Sequence, residues 1–309
     1  MSTRYETNGK KIDLFSACFS ENKPKTGLVA GWCLLFVPSS LFLTFTCMDV
    51  NLRSKHAVVC GSTQGIGKAV ALELAQLGAA VTLVARNERS LQETLQELDT
   101  AAGQQHRYVV ADFTRPQEVQ ERIAAHLEKV GQAHILVNNT GGPAGGPALE
   151  AAVEEFEKAF AAHLVCHHLL AQAVVPYMKE AGYGRIINII STSVKQPIKG
   201  LGVSNTIRGA VANWAKTLSL ELAPFGITVN NVLPGATLTA RHHSLLESKM
   251  QKTGQTKEEV EQELLAGIPA NRFAEPHEVA AAAAFLASPA AAYITGINIP
   301  VDGGRTGNL

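Results

Sequence analysis

The sequence predicts a doubly wound α/β domain, a parallel sheet of about seven strands with helices on both faces. Two observations carry that expectation. From Lys55 onward, short β-branched runs alternate with longer stretches of helical period. Runs such as Ile186-Ile187-Asn188-Ile189-Ile190 are apolar without alternation, which suits strands covered on both sides. Repeated strand–helix–strand crossovers then give one parallel sheet. No linker, repeat or composition break divides residues 50–309, so residues 49–309 read as a single domain.

In chain order, strands are expected near His56–Cys60, Val81–Ala85, Arg107–Val110, His134–Val137, Arg185–Ile190, Thr228–Val232 and Ile297–Val301. Helices are expected near Ile66–Leu77, Ser90–Ala102, Pro116–Val130, Leu149–Glu180, Asn205–Ala223 and Pro276–Leu286. The stretch Leu238–Ile268 is polar, charged and helix-prone. It reads as a solvated helical pair, and its place between the last two strands also makes it a candidate lid.

Composition narrows the function. The 309 residues carry 27 Lys+Arg against 27 Asp+Glu, and this neutrality argues against a general nucleic-acid binder. Five cysteines without a Cys-x-x-Cys pair exclude a disulfide framework or cysteine zinc site and fit a reducing, cytoplasmic compartment. Residues 1–48 stand apart as an apolar leader. Thr26–Met48 is an uncharged run of 23 residues, long enough for a bilayer span of roughly 20 but interrupted by Pro38-Ser39-Ser40. Its readings are a membrane segment or, preferred, upstream translation preceding a start at Met48. Membrane association is expected only if this leader is native.

The first strand ends in Cys60-Gly61-Ser62-Thr63-Gln64-Gly65-Ile66-Gly67-Lys68, and a helix follows. Glycines also close ordinary turns. Between a first strand and first helix, however, they let backbone N–H groups approach a dinucleotide diphosphate. After the second strand comes Ala85-Arg86-Asn87, with no carboxylate for an adenosine ribose. Arg86 suits a 2′-phosphate, which favours NADP(H) over NAD; a surface arginine at a strand end is the plainer reading.

The spacing Gly61-x-x-x-Gly65-x-Gly67, then Asp112, then Asn138-Asn139-Thr140-Gly141, resembles the short-chain dehydrogenase/reductase family. Pro234-Gly235, Tyr293-Ile294-Thr295-Gly296 and Val301-Asp302-Gly303-Gly304 match it too, covering about residues 50–305 in order. Within the family the chain looks most like the 3-oxoacyl-(acyl-carrier-protein) reductases. The resemblance implies a Rossmann-type fold, NADP(H) along Gly61, Ser62, Gly65, Ile66, Gly67 and Gly141, and Asp112 and Phe113 flanking the adenine. It places Asn139 along the adenosine ribose and Pro234, Gly235, Thr237 and Thr239 toward the nicotinamide. It also implies a homodimer or homotetramer built through the helices near Leu149–Glu180 and Asn205–Ala223.

The catalytic pattern departs from the family. Members usually use Ser, Tyr and Lys, the last two spaced Tyr-x-x-x-Lys, plus an Asn on the preceding helix, because hydride attack builds charge on a carbonyl oxygen that needs hydrogen bonds and a proton. Here Ser191 occupies the serine position, Ser204 the tyrosine position, Arg208 the lysine position and His163 the asparagine position. No tyrosine lies between residues 184 and 292. Arg208 can hold a ribose and an oxyanion but gives up no proton readily. Ser204 can relay a proton or cap the following helix, Ser191 can bond a carbonyl or cap the strand end, and Lys195 and Lys199 lie on the loop between. His163 titrates usefully with His167 one turn away, although a helix-surface or subunit-contact role is the default. His242 and His243 are read as an exposed pair, and no metal site is expected. The implied function is an NADP-dependent oxidoreductase acting on a carbonyl, alcohol or acyl-thioester substrate. The alternative is a dinucleotide-binding sensor or partner subunit with little turnover.

Overall fold

A computed structural model of the chain describes residues 48–308, together with a short antiparallel pairing of Glu6–Thr7 with Lys10–Lys11. The rest of the leader, including its apolar run up to Cys47, lies outside the described residues. Among the described residues from 48 onward, seven strands form one sheet: β1 His56–Cys60, β2 Ala80–Ala85, β3 Arg107–Val110, β4 Ile135–Asn138, β5 Gly184–Ile189, β6 Ile227–Pro234 and β7 Asn298–Val301. They pair in the order β3-β2-β1-β4-β5-β6-β7, all parallel. The order reverses between β1 and β4, which opens a crevice at the carboxyl ends of those strands.

Among the described residues nine α-helices connect them: α1 Gly65–Gln76, α2 Glu88–Glu97, α3 Pro116–Val130, α4 Val153–Phe160, α5 Cys166–Ala181, α6 Gly202–Leu222, α7 Ala240–Thr253, α8 Lys257–Leu265 and α9 Pro276–Ala287. Two buried clusters lie on opposite faces of the sheet. One joins Val70 and Leu74 of α1, Leu91 of α2 and Ala283 of α9 to Val59, Val81 and Leu83. The other joins Ile123 of α3, Leu170 and Val174 of α5 and Ala215 of α6 to Val58, Leu136 and Ile186. Strand residues alternate between the clusters, as the pleat requires. This is why the central strands read as unbroken apolar runs.

The helices differ from the sequence expectation in ways that have a physical cause. Helix α2 ends at Glu97 because Leu98 turns extended and buries itself, 5% exposed. The helix expected from Leu149 starts at Val153, where the Glu155 carboxylate accepts the Ala152 N–H and fixes the first turn. That helix is also not uniform: Ala161–Val165 widens into a π turn between α4 and α5. Val153–Ala181 is long and apolar enough to cross a bilayer, yet Cys166, Leu170, Val174 and Met178 pack in the core.

An amide ladder crosses the buried sheet. Asn138 Nδ2 donates to Asn188 Oδ1 (2.9 Å), Asn188 Nδ2 to Asn231 Oδ1 (2.9 Å) and Asn231 Nδ2 to Asn298 Oδ1 (2.8 Å). These asparagines are direct register partners on β4, β5, β6 and β7. Asn138, Asn188 and Asn231 each donate to the next amide along; the two inner ones also accept from the one before, and Asn298 accepts at the end.

Candidate cofactor and substrate site

The carboxyl ends of β1, β2 and β3 carry the residues expected to meet the dinucleotide. Gly61 donates its N–H to the Val84 oxygen (2.8 Å), and the buried Ser62 hydroxyl accepts the Val84 N–H (3.0 Å), so the glycine loop is tied to β2. Asn139 Nδ2 reaches the carbonyls of Cys60 and Gly61, both at 3.3 Å. A Cβ at Gly67 would sit 2.2 Å from the Gly61 oxygen, so only glycine lets α1 start this close to the loop. Helix α1 has no side-chain cap at Gln64 and no acidic residue in its first turn. Its first-turn N–H groups and positive dipole end therefore suit a diphosphate. Ile66 packs half-buried on the core beneath.

Arg86 is exposed at the end of β2. The Asp112 carboxyl is held below its usual range mainly by the Thr114 N–H, with the Arg86 charge contributing, so the two share one edge. Phe113 is half-buried and packs against the core. Gly141 is exposed at the start of the Gly141–Pro147 loop.

At the far side, Gly235 is required by packing: a Cβ there would lie 2.7 Å from Asp302 Cα. Thr237 is buried and bonds the Gly235 oxygen (3.2 Å). Thr239 accepts the His242 N–H (3.2 Å) and caps α7, while its methyl group faces Gly65. The loop after Pro234 thus meets the glycine loop across the crevice.

Between them, Ser191 ends β5 in an extended conformation and accepts the Ser193 N–H (3.1 Å), leaving its own proton to donate. Ser204 is buried in the first turn of α6, where Leu201 holds the N-cap position, so Ser204 does not cap the helix. Arg208 follows one turn later, 6% exposed, and donates through Nη1 to the Ile189 oxygen (3.0 Å). Its proton affinity is pushed down to about 10 by burial and by the charge of Arg241. It remains a cation at neutral pH. Lys195 is half-buried and Lys199 exposed on the adjoining loop.

His163 corrects the expectation of a surface histidine. It lies in the π turn, 1% exposed, with Nδ1 2.5 Å from Thr140 Oγ1. Burial first, then the charge of Arg208, drives its pKa far below the ordinary histidine range, so it is neutral near pH 7. His167 is fully buried beside it and pushed down to about 3 by burial and Arg208. His242 is buried too, against Phe273, with ring centroids 4.6 Å apart; only His243 is exposed. Two features escaped sequence reasoning. Thr140 was visible only as part of a motif, and Arg241 only as one charge in a polar stretch.

A parallel sheet with a glycine-rich first crossover, an uncapped α1 and a hydroxyl–guanidinium pair at the next strand ends defines a dinucleotide-dependent oxidoreductase of the α/β class. Residues 61–306 match the family model described as enoyl-(acyl carrier protein) reductase. The NADPH-dependent reductase BacG of Bacillus subtilis is 32% identical over 82% of this chain and 98% of its own. The 3-oxoacyl-[acyl-carrier-protein] reductase FabG of Vibrio cholerae is 33% identical over 82% of this chain and 98% of its own. The L-sorbose reductase of Gluconobacter frateurii, solved with NADPH and L-sorbose, superposes with a TM-score of 0.79 at 32% identity, covering 85% of this chain and 100% of its own. The chain belongs to the short-chain dehydrogenase/reductase family.

Proposed function

We propose that this protein is an NADP(H)-dependent reductase of carbonyl compounds, with Ser191, Ser204 and Arg208 as its working groups. The observation that carries this is the junction of β5 and α6, where a serine hydroxyl with its proton still to donate and a buried cation both sit at the carboxyl end of one strand. Bound NADPH supplies the hydride that reduces the carbonyl carbon. Ser191 donates a hydrogen bond to the carbonyl oxygen. Arg208 offsets the negative charge that grows there as the C=O electron pair moves onto oxygen. Ser204, on the same face of α6 as Arg208, passes a proton to that oxygen from water. His163 and Thr140 hold the wall behind Arg208. First-turn N–H groups of α1 would hold the diphosphate, and Arg86 the 2′-phosphate.

A 3-oxoacyl thioester is the first substrate to try, since the sequence most resembles those reductases. A homodimer or homotetramer through α4 and α6 is supported by the exposed Leu149, Val153, Phe160 and Leu220. A cytoplasmic setting suits the cysteine usage.

Fluorescence titration with NADPH and NADH, followed by a panel of ketones and 3-oxoacyl thioesters, tests the reading. Arg86→Asp should weaken NADPH binding at least tenfold and NADH binding by less than threefold. Equal losses would remove the 2′-phosphate role. NADPH binding without oxidation on any carbonyl, restored by Ser204→Tyr with Arg208→Lys, would favour a sensor instead.

A further inference from the structure

We propose that the substrate of this site carries a carboxylate besides its carbonyl, and that Arg241 is the residue that grips it. This deepens the reductase reading above and rests on it.

Arg241 opens α7. Its Nη2 donates to the Pro143 oxygen, and its guanidinium lies 3.5 Å from where a Gly142 side chain would begin. It is therefore pinned over the Gly141–Pro147 loop. The same loop is held from α7 by Lys252 Nζ on the Gly145 oxygen (3.4 Å). On its other flank, Gly146 donates to Gly200 (2.7 Å) and Gly202 donates to Gly146 (2.9 Å). Gly202 starts α6, whose first two turns carry Ser204 and Arg208. The α7 helix, the loop after β4 and the start of α6 are thus stitched together at the carboxyl ends of the strands, with Arg241 on the α7 side of the loop and Arg208 on the α6 side.

Neither arginine has a carboxylate within ion-pair distance among the described residues. The seven cations that do all keep between 29% and 89% of their side chains exposed to water. Arg208 is almost fully buried, Arg241 is half-buried, and the charge of one acts on the other. Unpaired cations withdrawn from water are costly, and an incoming anion offsets that cost.

The dinucleotide's own anions are assigned elsewhere: Arg241 follows Thr239, which faces Gly65, but its guanidinium is held on Pro143 and Gly142 of the loop after β4. The diphosphate belongs at α1, after β1, and the 2′-phosphate at Arg86, after β2. Arg208 meets the end of β5, two to three strands along the sheet, which is about 10–14 Å. The oxidised nicotinamide ring is itself cationic and supplies no counter-charge. An anion from the substrate remains, and the planar fork of a guanidinium matches a carboxylate in two parallel hydrogen bonds.

The test compares 3-oxobutanoate and 4-oxopentanoate with their methyl esters, in turnover with NADPH and in calorimetric binding to the NADP⁺ complex. The acids should be preferred at least tenfold in kcat/KM. Arg241→Gln should shrink that ratio tenfold or more through KM, Arg241→Lys should keep part of it, and NADPH affinity should move less than twofold. Equal use of acid and ester by the unaltered protein would overturn the proposal, as would equal losses for both in Arg241→Gln. Turnover of esters alone would leave the reductase standing without its carboxylate site. Arg241-dependent binding of the acids with no turnover of any carbonyl would retain the site and remove the reductase.

Discussion

At Ser191 a hydroxyl takes the Ser193 N–H as acceptor and keeps its own proton for a ligand. Capping the turn and polarising a carbonyl are therefore compatible uses of one oxygen atom. Ser191→Ala should lower kcat by two to three orders of magnitude, the usual effect of losing one oxyanion donor, about 3–4 kcal/mol of barrier. Stability should fall by only about 1 kcal/mol, the value of the cap. Steady-state kinetics and urea unfolding on the same variant check both halves, and a loss of kcat below fivefold would remove Ser191 from the reaction. The sequence made Ser191, Ser204 and Arg208 visible through the family resemblance, whose serine, tyrosine and lysine positions they occupy. It did not reveal that His163 is buried, since burial depends on the π turn that swings it onto Thr140. No periodicity in Phe160-Ala161-Ala162-His163 marks that extra residue in the turn.

Elements hold these residues because the sheet is rigid where they emerge. The ladder Asn138–Asn188–Asn231–Asn298 ties four strands below the site, with Asn188 fully buried. Each inner amide satisfies both of its neighbours, so removing one strands two others in an apolar layer. Asn188→Leu should cost about 3 kcal/mol in urea unfolding, from two orphaned amide groups, whereas Asn298→Ala at the edge should cost about 1 kcal/mol. Equal effects would show that the ladder is not a connected unit. The strands themselves were legible from β-branched runs, and so were the helical pair α7 and α8 and the crevice at the glycine loop. The ladder was not: single asparagines inside apolar runs look like isolated exceptions until register makes them partners. Arg241 was hidden for a related reason, because its meaning comes from a loop 98 residues earlier in the chain.

Across the whole molecule, several histidines on both edges of the sheet sit where burial holds them neutral. His56 and His134 sit at the amino edge of the sheet, where His134 Nδ1 accepts the His56 N–H (3.0 Å) and His56 faces Thr82 (2.8 Å). His126 shares the same Thr82 hydroxyl (2.8 Å). Burial, then the nearby Lys55 and His56, push His134 down to about 4; burial, then His56 and Arg107, push His126 to about 4. At the carboxyl edge, His167 is held at about 3 and His163 is driven lower still. In each case the folded protein binds protons less readily than the unfolded chain, whose histidines titrate near 6.5. Their contribution is therefore complete above pH 6.5 and is lost as the pH falls from there toward the folded values. At pH 5 the loss is about 2 kcal/mol for each fully buried imidazole, so His163 and His167 alone remove about 4 kcal/mol. That is a large share of an ordinary stability of about 5–15 kcal/mol. The depressed carboxylate of Asp112 acts in a separate, lower window, below its usual pKa near 3.8. Urea unfolding midpoints should thus drop steeply between pH 6.5 and 5, before any carboxylate titrates. His167→Leu, which removes one ionisable group and the two unpartnered ring nitrogens, should flatten that slope by about one proton. A midpoint unchanged from pH 7 to pH 5 would mean that these imidazoles are hydrated and charged rather than held neutral in the fold.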